Sequence, residues 1–322
     1  MMRRVIAGFA AGALLFGLAG TVDRAAAQDY PSRPITLIVP YPPGGGVDIM
    51  GRLVGQRLSA MLGQQVVIEN RAGAGGMIGT RDIAKAAPDG YTLGMMLTGI
   101  SLSPNTGYDI NKDFTPIGIV ASTPIFIVAN PQFPAKTLAD IIALAKKEPG
   151  KLSAGTPPAP TINFFAAKLF NLTAGVDITT VTYKGTAPLT NDILGNHVPF
   201  GFNTIPAAVS NVQAGQLRAI AVTGPKRSAA LPEVPTAAEA GLPGFEVMQY
   251  YGVTAPAGIP QPIVERLNGA LQKILADEEF KKRLIADGSD PNPSTSDEYR
   301  ANIKREEAKW AELVKKLGLK LE

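Results

Sequence analysis

Short β-branched runs alternate with amphipathic helical stretches along most of this chain. That alternation restricts it to α/β folds in which parallel strands are joined by right-handed helical crossovers. Residues 35–39 read as a strand. After a Pro/Gly-rich turn, residues 47–62 place Ile49, Met50, Leu53, Val54, Leu58, Met61 and Leu62 at helical spacing. A second strand is expected at 66–68, a helix at 77–86 and a third strand at 91–97. The order strand, helix, strand, helix, strand predicts a parallel sheet.

The pattern then changes and restarts. Residues 117–129 form a long extended segment broken at Pro124, and 137–147 are helical with Leu138, Ile141, Ile142 and Leu144 on one side. A loop at 153–160 leads to a helix at 161–170, followed by a strand at 178–183 and a helix at 188–194. Next come a strand at 198–202, a helix at 206–213 and a strand at 217–222. Residues 222–244 read as loop with a short helix, and 245–255 as another long strand. Helices are expected at 263–275 and 279–286. Thr295 and Glu298 make a capping box for a last helix, in which Tyr299, Ile303, Trp310, Leu313, Val314 and Leu317 face a core. The extended segments near Pro124 and Tyr250 divide the chain. Residues 28–123 with 251–322 are expected to form one lobe and residues 124–250 the other, joined by two hinge crossings that let them close on a ligand.

Residues 1–27 carry Arg3 and Arg4, an apolar run from Val5 to Ala19, and Ala25-Ala26-Ala27 before Gln28. This is the layout of an export signal cleaved after Ala27, and the run is short for a membrane-spanning helix. Cleavage would remove three arginines and one aspartate, lowering the net charge from +4 to +2. A charge so small argues against nucleic acid or an anionic membrane surface as partner. With no cysteine and one histidine, His197, thiolate catalysis and histidine- or cysteine-rich metal sites are excluded, and no cofactor or metal is expected.

Four turns between strand and helix share one composition: Tyr41-Pro42-Pro43-Gly44-Gly45-Gly46, Ala72-Gly73-Ala74-Gly75-Gly76, Ser153-Ala154-Gly155-Thr156-Pro157-Pro158 and Lys184-Gly185-Thr186-Ala187-Pro188. Two fall in each lobe. In parallel α/β sheets such turns lie at the carboxyl ends of the strands, where helix N-termini offer unpaired N–H groups to anions. Nucleotide fingerprints are absent: Ile78 occupies the third glycine position of the dinucleotide pattern, and no G-x-x-x-x-G-K-[ST] occurs. No G-x-S-x-G elbow exists, and His197 falls in a turn. Asp48, Asp82, Asp140 and Asp192 lie within or at the start of helices, where the dipole or solvent accounts for them. The chain therefore reads as a binder and not as an enzyme.

Several segments match a known family. Val39-Pro40-Tyr41-Pro42-Pro43-Gly44-Gly45-Gly46-Val47-Asp48, Glu69-Asn70-Arg71-Ala72-Gly73-Ala74-Gly75-Gly76, Pro88-Asp89-Gly90-Tyr91-Thr92-Leu93, Tyr183-Lys184-Gly185 and Leu231-Pro232-Glu233-Val234-Pro235-Thr236 resemble the Bug receptors. These are the extracytoplasmic solute-binding proteins of tripartite tricarboxylate transporters. The resemblance implies a two-lobed, type II-like Venus-flytrap periplasmic binding protein with its ligand cleft between the lobes. It would be a monomer that captures a small carboxylate and delivers it to membrane permease subunits. Carried onto this chain, Tyr41, Gly45, Gly46, Asp48, Gly75 and Gly76 would form one jaw, and Gly155, Thr156, Thr161, Thr186 and Ala187 the other. Asp48 has an alternative role in stabilising the start of its helix.

Three departures from the family pattern bear on the ligand. The third loop carries three prolines, and Phe164-Phe165 stand where a His-Leu pair is common. Asn203 follows Phe202 where an aspartate is common, and Tyr250 replaces a frequent tryptophan. Phe164 and Asn203 thus join the expected ligand-binding set. The expected ligand is an aromatic or aliphatic mono- or dicarboxylate without an amino group. A binding protein that signals to a membrane sensor kinase is the alternative function.

Overall fold

β1 (Ile35–Val39) is apolar except at Thr36, as a strand covered on both faces must be. The computed structural model describes residues 30–97 and 106–319; the expected export signal over residues 1–27 and its cleavage after Ala27 lie outside them. β1 lies between β2 (Val66–Asn70) and β3 (Thr92–Leu97), parallel to both. α1 (Gly46–Leu62) buries Met50, Val54, Leu58 and Leu62 along one stripe and stops at Gly63, whose φ of 71° is the left-handed value glycine adopts freely. α2 (Met77–Ala84) makes the second crossover. The parallel unit expected from the periodicity is present.

β4 (Phe114–Ala129) is unbroken over 16 residues. From Phe114 to Pro124 it pairs antiparallel with β9 (Met248–Pro256), and from Ile125 to Ala129 with β7 (Phe200–Thr204); β8 (Arg218–Val222) pairs with Phe126 to Ala129. Pro124 interrupts nothing because it stands where one set of partners gives way to the other, the place in a strand where a missing N–H matters least. The main path of the sheet runs β2-β1-β3-β9-β4-β7 and then β5 (Ser153–Thr156) and β6 (Thr179–Thr182).

Beyond β4 come α3 (Leu138–Lys147), β5 (Ser153–Thr156), α4 (Ile162–Ala174), β6 (Thr179–Thr182), α5 (Thr186–Leu194) and α6 (Ile205–Gln213). β5 is parallel to β6 and β7. The sequence reading makes residues 153–160 a loop, yet their first four residues are this strand. Small side chains hide it from hydrophobic periodicity. They are small for a reason: a Cβ at Gly155 would run into Leu189, Tyr183 and Val198.

The chain ends with α7 (Gln261–Ala276), α8 (Glu278–Ala286), the short β10 (Asp290–Pro291) on β4, and α9 (Ser296–Leu317). α9 starts with the expected capping box of Thr295 and Glu298. Its apolar stripe serves two cores. Tyr299 and Ile303 join the cluster built on β1, β3, β9 and α7, whereas Trp310 and Leu313 join the one holding Phe165, Phe170, Phe200, Phe202 and Phe245. The Trp310 ring stacks on Phe165 with centroids 5.6 Å apart, and its indole N–H donates to buried Glu306 at 3.1 Å. The sequence reading assigns residues 251–322 to the first lobe, with two crossings; within that range α9 packs on both apolar clusters. Periodicity identifies an apolar face without naming what it packs on.

Trp310→Ala should therefore lower the unfolding free energy by about 3–5 kcal/mol, the cost of removing a buried aromatic side chain. Denaturant unfolding checks this, and a loss below about 1 kcal/mol would mean that the second half of α9 is not part of a core.

Candidate functional site

The four glycine-bearing turns meet in two pairs, each pair with one member from either side of the β4 exchange. The turn between β1 and α1 faces the turn between β6 and α5. Gly185 lies against the Pro42 ring, Gly44 faces the Ala187 methyl, and the Gly46 N–H donates to the Thr186 hydroxyl at 3.4 Å. The turn after β2 faces the turn after β5. Gly75, at φ +64°, lies so near the Ala159 carbonyl that a Cβ there would come within 2.6 Å of its oxygen.

Between these turns is a narrow cavity of about 20 Å³, room for about one water molecule. Four helix N-termini open onto it. α1 contributes Gly45, Gly46 and Val47; α4, Thr161 and Asn163; α5, Gly185 and Thr186; and α6, Thr204. Tyr41, Pro42, Leu97 and Pro157 complete the walls, with Gln249 reaching in from β9. None of the described lining residues carries a charge. Three of the four helices have no side-chain cap, because Gly45 and Gly185 have no side chain to offer and the Thr204 hydroxyl does not bond to its own helix. Only α4 has one, a 3.4 Å hydrogen bond from the Phe164 N–H to the Thr161 hydroxyl. The partial positive charge of each terminus and several N–H groups are thus turned toward the cavity.

Buried polar atoms normally have partners. Among the described residues seven buried polar side-chain atoms have no partner at strict hydrogen-bond geometry, and five belong to Tyr41, Thr204, Tyr251 and Gln249, where the Tyr251 hydroxyl lies close enough to Thr204 and Gln249 for looser hydrogen bonds with both. Burial pushes the Tyr41 and Tyr251 hydroxyls far above the ordinary tyrosine range; for Tyr251 the neighbouring Thr204 and Gln249 pull the other way without offsetting it. All described lining groups are neutral.

Of the sequence-expected site residues, Tyr41, Gly45, Gly46, Thr161 and Thr186 line the cavity. Asp48 does not. Its carboxylate, 3% exposed as a residue, accepts from the Gly44 N–H at 2.9 Å, Arg52 Nε at 3.0 Å and Asn70 Nδ2 at 2.9 Å, while the Asn70 amide also donates to the Tyr41 carbonyl at 3.0 Å. Asp48 thereby ties the first turn to β2. Gly75 and Gly76 shape the second turn at φ +64° and +100°, and Ala187 meets Gly44 across the cleft. Gly155 and Thr156 belong to β5, and Phe164 packs edge-on to Phe165 with Lys168 over its ring. Asn203 is fully engaged: its amide donates to Thr190 at 2.8 Å and accepts from the Thr204 N–H at 2.8 Å, so it holds Thr204 in place. His197 lies outside the cavity, exposed beside Asp192.

The sequence reading misses Asn163, Thr204 and Gln249. Gln249 did leave a signal, as an uncharged polar residue inside the apolar run 245–255. No group of three or more His, Cys, Asp or Glu side chains suited to a metal occurs among the described residues, and no helix among them is long and apolar enough to cross a membrane.

Residues 50–319 match the sequence model of the tripartite tricarboxylate transporter family receptors. Protein BugT of Bordetella pertussis is 36% identical over 314 residues, 96% of this chain and 96% of that protein. A protein of R. palustris solved with adipate superposes with a TM-score of 0.87 at 34% identity, covering 90% of this chain and 99% of that one. MatC from Rhodopseudomonas palustris with bound malate gives a TM-score of 0.84 at 31% identity, covering 88% and 100%.

Asp48 makes the first turn sensitive to acid. Burial raises its pKa, but hydrogen bonds from Arg52, Gly44 and Asn70 and the Arg52 charge outweigh this and hold it below the usual aspartate value. Its stabilisation is complete above the unfolded-chain value of about 4 and is lost as pH falls through the lower folded one. Asp48→Asn should cost about 1–3 kcal/mol at pH 7, with the gap from wild type narrowing below about pH 4. Equal gaps at pH 3 and pH 7 in urea unfolding would show that the charge does not hold the turn.

Proposed function

The chain belongs to the family of tripartite tricarboxylate transporter receptors, and from that premise we propose that it captures a small carboxylate without an amino group in the periplasm and hands it to transporter permease subunits. Its α/β fold is that of the periplasmic solute-binding proteins. The observation that carries the reading is the convergence of four helix N-termini on a cavity with no charged side chain among its described lining residues. Such a site favours an anion through N–H groups and dipoles. An ammonium group would meet the same positive ends with no carboxylate to pair it, since Asp48 is engaged elsewhere.

Pro42, Val47, Leu97 and Pro157 provide apolar wall for an aliphatic or aromatic body. The adipate and malate held by two relatives support a carboxylate as the ligand class. Tyr41, Gly45, Gly46, Thr161 and Thr186 would touch the ligand, with Asp48, Gly75 and Asn203 holding the turns in position. Residues 28–123 with most of 251–322, and residues 124–250, would be the two closing lobes, hinged where β4 and β9 cross. Export would follow cleavage after Ala27. The cavity offers no acid–base pair for turnover, so the ligand should leave unchanged.

Calorimetric titration of the purified exported protein with aliphatic and aromatic carboxylates, glutamate and citrate tests the reading. A carboxylate without an amino group should bind, shrink the radius of gyration and, at a hundredfold excess over its Kd, stabilise the fold by about 2.7 kcal/mol. Tight binding of glutamate or citrate with no response to the others would overturn it. Gly45→Ala gives an independent check. Gly45 has φ −80°, which any residue adopts, but an added Cβ would come within 2.9 Å of the Thr186 hydroxyl across the closed cleft. Affinity should fall about tenfold or more with folding preserved; unchanged affinity would contradict closure of these two turns on the ligand.

A further inference from the structure

Among the described helices, α9 alone divides its buried side chains between two apolar clusters. Tyr299 and Ile303 belong to a cluster whose other buried members come from residues 30–121 and 251–284, while Trp310 and Leu313 belong to one drawn otherwise from residues 125–247. Residues 304–309 of α9 therefore bridge the boundary that β4 crosses at Pro124. They run beside the crossing itself. Tyr250 of β9 feels the charges of Arg305 and Glu306, and the Lys309 ammonium donates to the Glu246 carbonyl at 3.2 Å. Both ends are anchored. Trp310 stacks on Phe165 and donates to Glu306, and Tyr299 lies so close to Gly252 of β9 that a Cβ there would run into its ring.

A helix anchored on both sides of a hinge resists the hinge. Parting the glycine turns rotates one half of the sheet against the other, so residues 304–309 must follow the rotation or one anchor must leave its cluster. From Ser296 to Leu317 α9 has neither proline nor glycine, so it contains no ready kink. Bending it sharply breaks helical hydrogen bonds, and pulling Trp310 out exposes a buried ring and separates its N–H from the Glu306 carboxylate. We propose that α9 is a strap across the hinge: it is relaxed with the glycine turns together, so it biases the cleft toward closure, and opening requires residues 304–309 to give up their helix. This rests on the two-lobe closure proposed above and adds the element that governs its equilibrium.

The chain has no cysteine, so Val47→Cys introduces a single thiol at a cavity-lining position only 6% exposed. Its rate of modification by a thiol reagent, in exported protein unfolded and refolded to strip carried-over ligand, reads how often the cleft opens. If this variant does not fold, Thr161→Cys, 3% exposed in the same lining, reports instead. Ala301→Gly, Ala308→Gly and Ala311→Gly are then added one at a time. All three alanines are exposed on α9 and each glycine weakens the helix alike, but only Ala308 lies in the strap. If opening unwinds 304–309, glycine at 308 destabilises the closed state and not the open one, so modification should speed up about three- to fivefold. At 301 and 311, helical in both states, the rate should stay within about 1.5-fold of the parent's. A rate for Ala308→Gly no higher than those of the other two, whether all rise together or none rises, would overturn the strap. Modification of the parent as fast as that of Ile78→Cys, on the exposed surface, would show a cleft that stands open and overturn it equally. Modification of every variant no faster than its global unfolding would mean that the cleft never parts, and would sink two-lobe closure as well. No ligand enters the measurement, so failure of the strap and failure of the carboxylate titration are read separately.

Discussion

β4 pairs with β9 up to Pro124 and with β7 and β8 from Ile125 onward, so one continuous strand is a member of both halves of the sheet. Everything at the cavity depends on that exchange. It sets the carboxyl ends of β1 and β2 opposite those of β5 and β6, which brings the four turns together in pairs. It also positions Thr204, at the end of β7, near Tyr251 and Gln249 on β9, next to the same crossing. A break in β4 at Pro124 would have freed the two halves from this register. Antiparallel β9 and the long helix α9 add two further connections, one beside the cavity and one through Trp310 on Phe165.

Among the described residues, the cavity achieves its polarity without charged side chains. Four helices contribute partial charges that cannot be neutralised by proton uptake, because they arise from aligned peptide groups. The glycines at the turns are part of this economy: Gly45 and Gly185 offer no side chain to cap α1 and α5, although the Gly46 N–H already donates to the Thr186 hydroxyl. The one carboxylate nearby, Asp48, lies behind the wall, where Arg52 and Asn70 bind it to β2. A charged residue thus positions the neutral surface that would do the binding.

Much of this was legible in the residues. The buried parallel strands announce themselves as apolar runs, and the glycine and proline clusters mark the turns because those backbones require them. The resemblance to a known family points to Tyr41, Gly45, Gly46, Thr161 and Thr186, which line the cavity. β5 escaped because Ser153, Ala154, Gly155 and Thr156 carry no hydrophobic periodicity; they are selected by lack of space. Sequence cannot reveal that the Asn203 amide is bonded to Thr190 and to the Thr204 N–H. Gln249 and Thr204 were missed for a complementary reason: which face of a strand meets a cleft depends on register across two halves that are far apart in the chain. The double packing of α9 was invisible because the spacing of Tyr299, Ile303, Trp310 and Leu313 is the same whether a helix serves one core or two.

The absence of charged side chains from the described lining has a consequence for the conditions in which such a receptor works. No Asp, Glu, His, Lys or Arg is among the described residues around the cavity, and burial holds its tyrosine, Tyr41, far above the ordinary tyrosine range. Between mildly acidic and mildly alkaline media, the lining keeps one protonation state. The acidity of the surroundings would then act on binding chiefly through the ionisation of the solute itself, and the described lining would meet a changing environment with an unchanging surface.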